Sequence, residues 1–593
     1  MRTAEENHFT THDGTELFYR HWPAAGATDK AIVLFHRGHE HSGRLQHIVD
    51  ELELPDIACF AWDARGHGKS PGARGDSPGL AASVKDMDLF IRHVGEEYGI
   101  PLANIVVLAQ SVGAVLAATW AHDYAPPVRG LVLAAPAFKV KLYVPLARPA
   151  LALWYRLRGN FFVSSYVKAR FLTHDPERIA SYDADLLITR DISARILLGL
   201  YEAAERVIAD ARAIRLPVQV LVSDSDWVVY PEPQEAFFRD LGSRVKERHV
   251  MPGFFHDILG EKDRHLALEK VRAFVQRLFA TAPEDLLPED DLLKAHQAGY
   301  THDEEQRLKA PLPALSAKNL KFALTRLSMG TLGRLSDGIR LGLETGFDSG
   351  STLDYVYRNQ ARGALGLGRL IDRGYLDAVG WRGIRVRKQH LGMAIAAAEE
   401  ELSEAGQPLR ILDIAAGHGR YVLDALHALP RHPASILLRD YSPPNVEAGR
   451  ALIAERGLGH IARFEAGDAF DEASLAALAQ AGQRPNLAIV SGLYELFPDN
   501  GLVARSLAGL ARAVAAGGYL VYTGQPWHPQ LEMIARTLTS HRDHQPWIMR
   551  RRTQAEMDAL VARAGFVKEE EWVDEWGIFT VSLARRAISS PLS

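Results

Sequence analysis

The run Ala109-Gln110-Ser111-Val112-Gly113 puts a hydroxyl where the chain turns from an apolar stretch, Ile105 to Leu108, into a helix-like one, Ala114 to Ala121. A serine nucleophile on such a turn needs small residues two before and two after it, because neighbouring backbone passes close by. Ala109 and Gly113 meet that need, with Ala replacing the first Gly of the G-x-S-x-G pattern. The alternative is a serine that caps a helix after a core strand. Two later stretches bear on the choice. Leu216 to Val222 reads as a strand whose carboxyl end delivers Asp226, and Met251 to Gly260 holds His256 in a loop before a helix. In this order, with 256 − 226 = 30 residues between acid and base, Ser111 would attack, His256 would take and return the proton, and Asp226 would hold the imidazole tautomer. Asp224 competes for the acid. Asp226 is preferred because it stands just before the apolar Trp227-Val228-Val229, where the chain re-enters the fold.

An attacked ester also needs donors for the developing oxyanion. After the strand-like Ala31 to Phe35 comes His36-Arg37-Gly38-His39-Glu40-His41-Ser42-Gly43-Arg44, a loop that can aim the Gly38 N–H at that charge, with the Val112 N–H as second donor. The histidines and Glu40 admit a metal-ligand reading, but no second group stands at ligand spacing, and loop histidines with structural roles are the simpler one. The order Ser, Asp, His is that of an α/β-hydrolase. Together with Glu40 to Arg44, Asp63-Ala64-Arg65-Gly66-His67-Gly68-Lys69-Ser70, and the run from Leu172 to Asp185, the elbow resembles the monoglyceride lipase and lysophospholipase branch of that fold over roughly residues 8 to 280. The resemblance implies a serine hydrolase of acyl esters of the lysophospholipid or monoacylglycerol kind. The departures are Ala109 and Arg37, the latter standing where the branch has Gly.

These residues need a scaffold, and 593 residues are too many for one core. The composition, 47% hydrophobic and 24% charged, is that of a globular protein. A net charge of −5 gives no reason to expect nucleic acid as partner, and the single Cys59 favours a reducing, cytoplasmic setting. No apolar run reaches the ~20 residues of a membrane span, and the N-terminus lacks the apolar core of a secretory signal. Residues 1–280 read as the hydrolase domain: an opening hairpin around Asp13-Gly14, then alternating strands and helices interrupted at about 137–215 by an insertion placed to cover Ser111. That insertion is apolar and aromatic, with Lys139, Lys141, Arg148, Arg156 and Arg158 interleaved. It reads as a helical cap packed on its own core, a lid resting on the inner face of a membrane, or both. Residues 281–316, acidic and proline-bearing, read as a linker, and 317–406 as a helical extension broken near Gly330, Gly346 and Gly350. Within the extension, Trp381 to Lys388 is cationic, a solvated face or an anion site.

The second centre follows. Leu409 to Asp413 reads as a strand, and Ala415, Gly417 and Gly419 form a small-residue turn into a helix, where backbone can approach a ligand closely. The next strand, Ser435 to Arg439, ends in Asp440, 440 − 419 = 21 residues past the last glycine, where a carboxylate can take ribose hydroxyls. A third ends in Gly467-Asp468-Ala469, offering a carboxylate to an adenine amino group, and a fourth in Ser491. A nicotinamide-binding domain shares the turn but not the second acid. These strand ends, with the closing pair around Phe566 and Ile578 to Leu583, resemble the class I S-adenosylmethionine (SAM)-dependent methyltransferases over about residues 394 to 585. The resemblance implies SAM as cofactor, held by Asp413, Ala415, Gly417, Gly419, Asp440, Asp468, Ala469 and Ser491. Ser491-Gly492-Leu493-Tyr494 lacks the Asn-Pro-Pro-aromatic signature of amino-group methylation, which points to a small-molecule or lipid acceptor. The chain is thus expected to be α/β throughout, in two domains: an α/β-hydrolase with a helical cap and a Rossmann-like seven-stranded methyltransferase. Either half could instead be an inactive scaffold that binds a lipid or a partner.

Overall fold

The computed structural model describes residues 1–480 and 484–587. It divides into two units, Met1–Pro288 and Glu289–Ser593. In the first, strands β1 (Glu5–Thr10), β2 (Glu16–Trp22), β3 (Ala31–Phe35), β4 (Ala58–Trp62), β5 (Ile105–Gln110) and β6 (Gly130–Ala134) lead to a short antiparallel pair, β7 (Phe162–Ser164) and β8 (Asp191–Ser193), then to β9 (Val218–Ser223) and β10 (Lys246–Met251). The main sheet runs β1-β2-β4-β3-β5-β6-β9-β10. Only the β1–β2 and β2–β4 pairs are antiparallel. From β3 to β6 the strands are apolar runs, Gln110 apart, buried from end to end. That is what a parallel sheet covered on both faces demands.

The cap lies between β6 and β9, as the insertion in the apolar pattern predicts, and contains the β7–β8 pair and helices Ala147–Arg158, Pro176–Ala184 and Ala194–Ala209. Its last helix is anchored by charge. Arg206 pairs with Asp123, and His122 bridges Asp123 and Asp210, all of them buried. Its first helix is the opposite case, with no buried residue at all.

In the second unit, β11 (Arg410–Asp413), β12 (Ser435–Asp440), β13 (Ala462–Ala466), β14 (Leu487–Val490), β15 (Tyr519–Gly524), β16 (Phe566–Val573) and β17 (Thr580–Arg586) form one sheet in the order β13-β12-β11-β14-β15-β17-β16. Only β17 runs antiparallel to its two neighbours. Seven strands with an antiparallel closing pair are the expected Rossmann-like sheet. The order reverses between β11 and β14, so their carboxyl ends diverge into a crevice, the place where such sheets bind ligands.

Three helices of the extension start at serine caps. Ser316, Ser336 and Ser349 each accept the backbone N–H three residues on, capping Ala317–Gly330, Asp337–Thr345 and Gly350–Arg358. Each cap stabilises its helix by about 1 kcal/mol. The long helix Val379–Glu404 then packs against β15 and β17.

The structure differs from the sequence reading over 281–316. Residues up to Pro288 belong to the first unit, and the rest of the supposed linker is built into the second. Tyr300–Lys309 is a helix whose Leu308 sits in a core with Phe347, Trp381 and Ile534. Asn500 donates to the Leu293 carbonyl at 3.1 Å, and Arg551 pairs with Glu304 at 2.5 Å. Acidic residues and prolines marked this stretch as solvated, but the face of that helix carrying Thr301, Glu305 and Leu308 is buried. The consequence is measurable by denaturant unfolding of the full chain. Leu308→Ala, at a position 6% exposed, lowers the stability of the second unit by about 2–5 kcal/mol. Leu315→Ala, at a position 89% exposed, leaves it unchanged. Equal effects would return the stretch to a linker.

Candidate functional site

Ser111 follows the last residue of β5 and precedes the helix Val112–Asp123. Its backbone is held at φ 55°, ψ −113°, a strained conformation for a residue with a side chain. The tightness of the turn explains its neighbours. A Cβ on Gly113 would lie 2.6 Å from the His36 carbonyl oxygen and 2.9 Å from that of Phe35, so only glycine fits. Ala109 is fully buried and its methyl is accommodated, so the departure from glycine is harmless.

The structure brings Ser111, His256 and Asp226 together. The Ser111 hydroxyl lies 2.7 Å from His256 Nε2, and Asp226 Oδ2 lies 2.7 Å from His256 Nδ1. The other carboxylate oxygen of Asp226 accepts the backbone N–H groups of Val228 and Val229, at 2.6 and 2.9 Å. Burial pushes this carboxyl up, but the His256 charge and hydrogen bond, with the two N–H groups, outweigh it and hold it below the ordinary carboxylate value. An ionised Asp226 places the imidazole proton on Nδ1, which leaves the Nε2 lone pair for the serine proton. Asp224 is elsewhere: it is exposed and accepts the Gly253 N–H at 2.7 Å.

Val112 opens its helix, so its N–H has no partner one turn back. Gly38 lies beside it, and a Cβ there would stand 3.1 Å from Val112 Cγ2. Both line, with Ser111 and His256, a cavity of about 470 Å³ walled by cap residues that include Leu151, Tyr166, Ile196 and Leu200. The loop histidines diverge. His36 accepts the Ala64 N–H, His41 reaches Asp185, and Glu40 accepts from Arg37 and Arg44.

Arg37 explains itself only in three dimensions. Its guanidinium is buried, pairs with Glu40 at 2.7 Å, and lies 4.0 Å from Asp257. Asp257, next to the candidate base, also holds Arg178 at 3.1 Å and Gln110 at 2.8 Å. Burial opposes its charge, but Arg178 and Arg37 draw its pKa well below the ordinary range. The network ties the loop after β3, the end of β5, the loop that carries His256 and the cap to one another. Sequence reasoning missed Asp257, Arg178 and Gln110; the only signal was an acid directly after the candidate histidine.

In the second unit the expected residues gather at the carboxyl ends of four adjacent parallel strands. Gly417 (φ +56°) and Gly419 (φ +74°) turn the chain after β11, and a Cβ on Gly419 would strike Leu438 at 2.5 Å. Above Gly417 the space is open except for Gly350 Cα, 3.7 Å from where a Cβ would be. The Asp440 carboxylate accepts the N–H groups of Gly417 (2.9 Å) and Ser442 (2.8 Å) and the Asn445 amide (3.0 Å). It therefore braces the glycine turn, with one of its roughly four acceptor sites left for a ribose hydroxyl. The Gly467 N–H donates to the Asp440 carbonyl at 3.1 Å, which sets Asp468 and Ala469 beside it. Asp468 is exposed and accepts the Phe470 N–H through one oxygen, leaving the other facing outward. Ser491 closes the row at the end of β14, its hydroxyl buried and without a partner. Open backbone, an available carboxylate oxygen and an orphaned hydroxyl fit the polar periphery of a nucleoside.

Asp413 behaves differently from the others. It is fully buried, accepts the Ala415 N–H at 3.2 Å and the Tyr421 hydroxyl, and faces away from solvent. Burial pushes its pKa up to about 7, only partly offset by Tyr421 and Ala415, with the Asp440 charge adding to the rise. The cationic run from Trp381 to Lys388 disperses. Arg382 lies over the Trp576 ring, Arg385 donates to the Leu376 carbonyl, and Lys388 pairs with Asp424. Only Arg387 turns inward, toward a second cavity, of about 240 Å³, beyond Gly492.

Comparison with known proteins agrees with this division. The family model described as "Putative methyltransferase" matches residues 271–586, and that described as "Serine aminopeptidase, S33" matches 26–263. The first covers more than half of the chain, and the chain belongs to that methyltransferase family. Its span takes in residues 289–316, as the structure does. The uncharacterized protein YnbC of Escherichia coli (strain K12) is 57% identical over 99% of both chains. The monoacylglycerol lipase of Mycolicibacterium smegmatis is 25% identical over 46% of this chain and 97% of its own, and the monoglyceride lipase of Rattus norvegicus 24% identical over 47% and 93%. The crystal structure of Paleococcus ferrophilus monoacylglycerol lipase is 24% identical and covers 47% of this chain and 99% of its own, with a TM-score of 0.39.

Asp413 yields a pH test. Its folded pKa, about 7, exceeds the unfolded ~3.9, so the folded state holds the proton more tightly and stability falls as pH rises from about 4 to about 7. In Asp413→Asn the amide oxygen still accepts the Ala415 N–H and the amide nitrogen donates to the Tyr421 oxygen. The variant is therefore more stable than wild type at pH 8, by up to ~4 kcal/mol, and the difference closes toward pH 4. A gap in unfolding free energy that does not change with pH would contradict it.

Proposed function

We propose that the first unit is a serine hydrolase of acyl esters and the second a SAM-dependent methyltransferase. For the hydrolase, one observation carries the reading: a strained serine, a histidine and an ionised carboxylate in a 2.7 Å and 2.7 Å relay, opening into an apolar cavity. Ser111 Oγ attacks the ester carbonyl as His256 Nε2 takes its proton. Asp226 stabilises the imidazolium that forms, and the Val112 and Gly38 N–H groups receive the oxyanion. His256 then returns the proton to the leaving alcohol, and water repeats the sequence to free the acid. The lining residues suit an acyl chain, which favours a monoacylglycerol- or lysophospholipid-like substrate over a peptide, and the lipase relatives over this half point the same way.

The cap helix Ala147–Arg158 supports a membrane-facing entrance. Leu153, Trp154 and Leu157 are exposed, with Leu146 and Val144 before them, and Arg156 and Arg158 lie alongside. An amphipathic helix that buries nothing of its own lies naturally in a lipid interface, with cations at the headgroups. No helix among the described residues is long and apolar enough to cross a bilayer, so such contact is peripheral. We place the protein in the cytoplasm, at the inner face of a membrane.

For the second unit, Asp440, Asp468 and Ser491 would take the polar edges of the nucleoside and Gly417 its close approach. SAM supplies an electrophilic methyl group there. The protein's part is to hold donor and acceptor aligned and to keep water out.

Three measurements test these readings. A fluorophosphonate probe labels the wild-type chain and not Ser111→Ala, and Asp226→Asn lowers kcat for ester hydrolysis by several orders of magnitude while Asp224→Asn changes it little. Labelling that survives at Ser111→Ala, or the reverse order for the two acids, refutes the assignment; a folded wild type that never labels makes this half a binding module. In calorimetry the chain binds SAM and its demethylated product but not NAD, and Asp440→Ala weakens SAM binding about ten- to hundred-fold. NAD binding, or indifference to the substitution, removes the cofactor reading.

A further inference from the structure

The second unit's cavity, about 240 Å³, begins at Gly492, immediately after Ser491, and runs beneath the helical extension. Its walls are mostly apolar and aromatic, from Ile339, Trp381, Met533 and Phe579 among others. At the Gly492 end, however, buried polar groups converge without satisfying one another. Arg387 is 3% exposed and its Nε has no partner; Glu495 is 7% exposed and its Oε2 has none; Gln525 is 5% exposed and its Nε2 has none. Such orphans cost roughly 1–3 kcal/mol each, more when charged, and a fold does not gather three in one place for packing.

Their positions are fixed. The Gly492 N–H donates to Thr523 Oγ1 at 2.9 Å, and that hydroxyl donates to Glu495 Oε1 at 3.2 Å, so one carboxylate oxygen is held while the other is left to the cavity. Arg552 clamps the same turn through the Tyr494 and Phe497 carbonyls, at 2.5 and 2.7 Å. Gly492 is at φ +69°, and a Cβ on it would stand 3.0 Å from the Arg387 guanidinium. Arg387 lies over the Phe579 ring and 3.9 Å from Glu495 Oε1, too far for a direct hydrogen bond.

We infer that this cavity binds the methyl acceptor, and that the acceptor is a neutral compound with an apolar body and a hydroxyl group seated between Glu495 and Arg387. The inference rests on the methyltransferase reading and goes beyond it by naming the acceptor's class. A hydroxyl is the group that donates to an orphaned carboxylate oxygen and accepts from a guanidinium at once. A carboxylate would face Glu495, and an ammonium would face Arg387. The other ionisable groups of the cavity leave this balance alone. Asp348 is occupied by Ser540 and His541, burial lowers the His528 pKa to about 4, so its imidazole is neutral, and burial raises the Tyr375 pKa well above the ordinary value, so its hydroxyl is neutral too.

The test uses the full chain and three probes of one shape: 2-naphthol, 2-methoxynaphthalene and 2-naphthoate, titrated by calorimetry. The wild type binds 2-naphthol more tightly than either of the others. Glu495→Gln weakens 2-naphthol about ten- to hundred-fold and leaves 2-methoxynaphthalene within twofold. Met533→Trp, which fills the cavity without altering Glu495, weakens both of these probes. Equal affinity for naphthol and its ether, a preference for naphthoate, or naphthol binding untouched by Glu495→Gln overturns the inference. A SAM titration of each variant separates the two levels. SAM binding without a Glu495-dependent naphthol site defeats this inference alone, whereas a Glu495-dependent naphthol site in a chain that does not bind SAM upholds the hydroxyl site and defeats the methyltransferase reading.

Discussion

Because the parallel strands of both units are covered on both faces, their backbone groups are consumed in the sheet and their side chains in the core. Polar chemistry is confined to where the strands stop. Ser111 and Asp226 leave the ends of β5 and β9, and Asp413, Asp440, Asp468 and Ser491 leave those of β11 to β14. The close approach of backbone at these ends follows from the same constraint. A Cβ on Gly113 would stand 2.6 Å from a carbonyl oxygen, and one on Gly492 3.0 Å from a guanidinium. The glycines are thus consequences of crowding at strand ends, and they mark the sites for that reason.

Two buried carboxylates show how the surroundings, and not burial alone, decide charge. Asp226 and Asp413 both lie at strand ends out of solvent, and desolvation raises both. Asp226 faces two backbone N–H groups and an imidazole, and its pKa falls. Asp413 faces one N–H and a tyrosine hydroxyl, has the charge of Asp440 nearby, and rises to about 7. The first is equipped to stay ionised beside a base. The second is a bracket for the turn above it.

Charge is also buried away from the strand ends, in networks that hold loops. In the first unit Arg37, Glu40, Arg178 and Asp257 join the loop after β3 to the histidine loop and the cap. In the second, Arg550 pairs with Glu556 while Arg552 takes Asn500 and two carbonyls of the turn that carries Glu495. Such networks add little net stability, since desolvation offsets most of the attraction, but removing one member leaves a buried charge unpaired. Their effect is to allow each loop a single arrangement.

The sequence by itself determined what local pattern can determine. Apolar runs bounded by small residues located the strands, helical spacing broken at glycines marked the extension helices, and the spacing of Ser111, Asp226 and His256 and of Asp413, Gly417, Gly419, Asp440 and Asp468 marked both candidate sites. Each of these is a relation between residues near in sequence or repeated at strand ends. Tertiary structure decided everything that depends on which distant groups meet. It chose Asp226 over Asp224, because only one of them lies within reach of His256. It built residues 289–316 into the second unit, which their composition disguised, since one buried leucine, Leu308, outweighs a polar average. It scattered the cationic run of the extension and turned only Arg387 toward Glu495, more than a hundred residues away, where the helix of one meets the strand-end turn of the other. Pairings of that kind leave no trace in spacing, because the chain between them is free to be of any length.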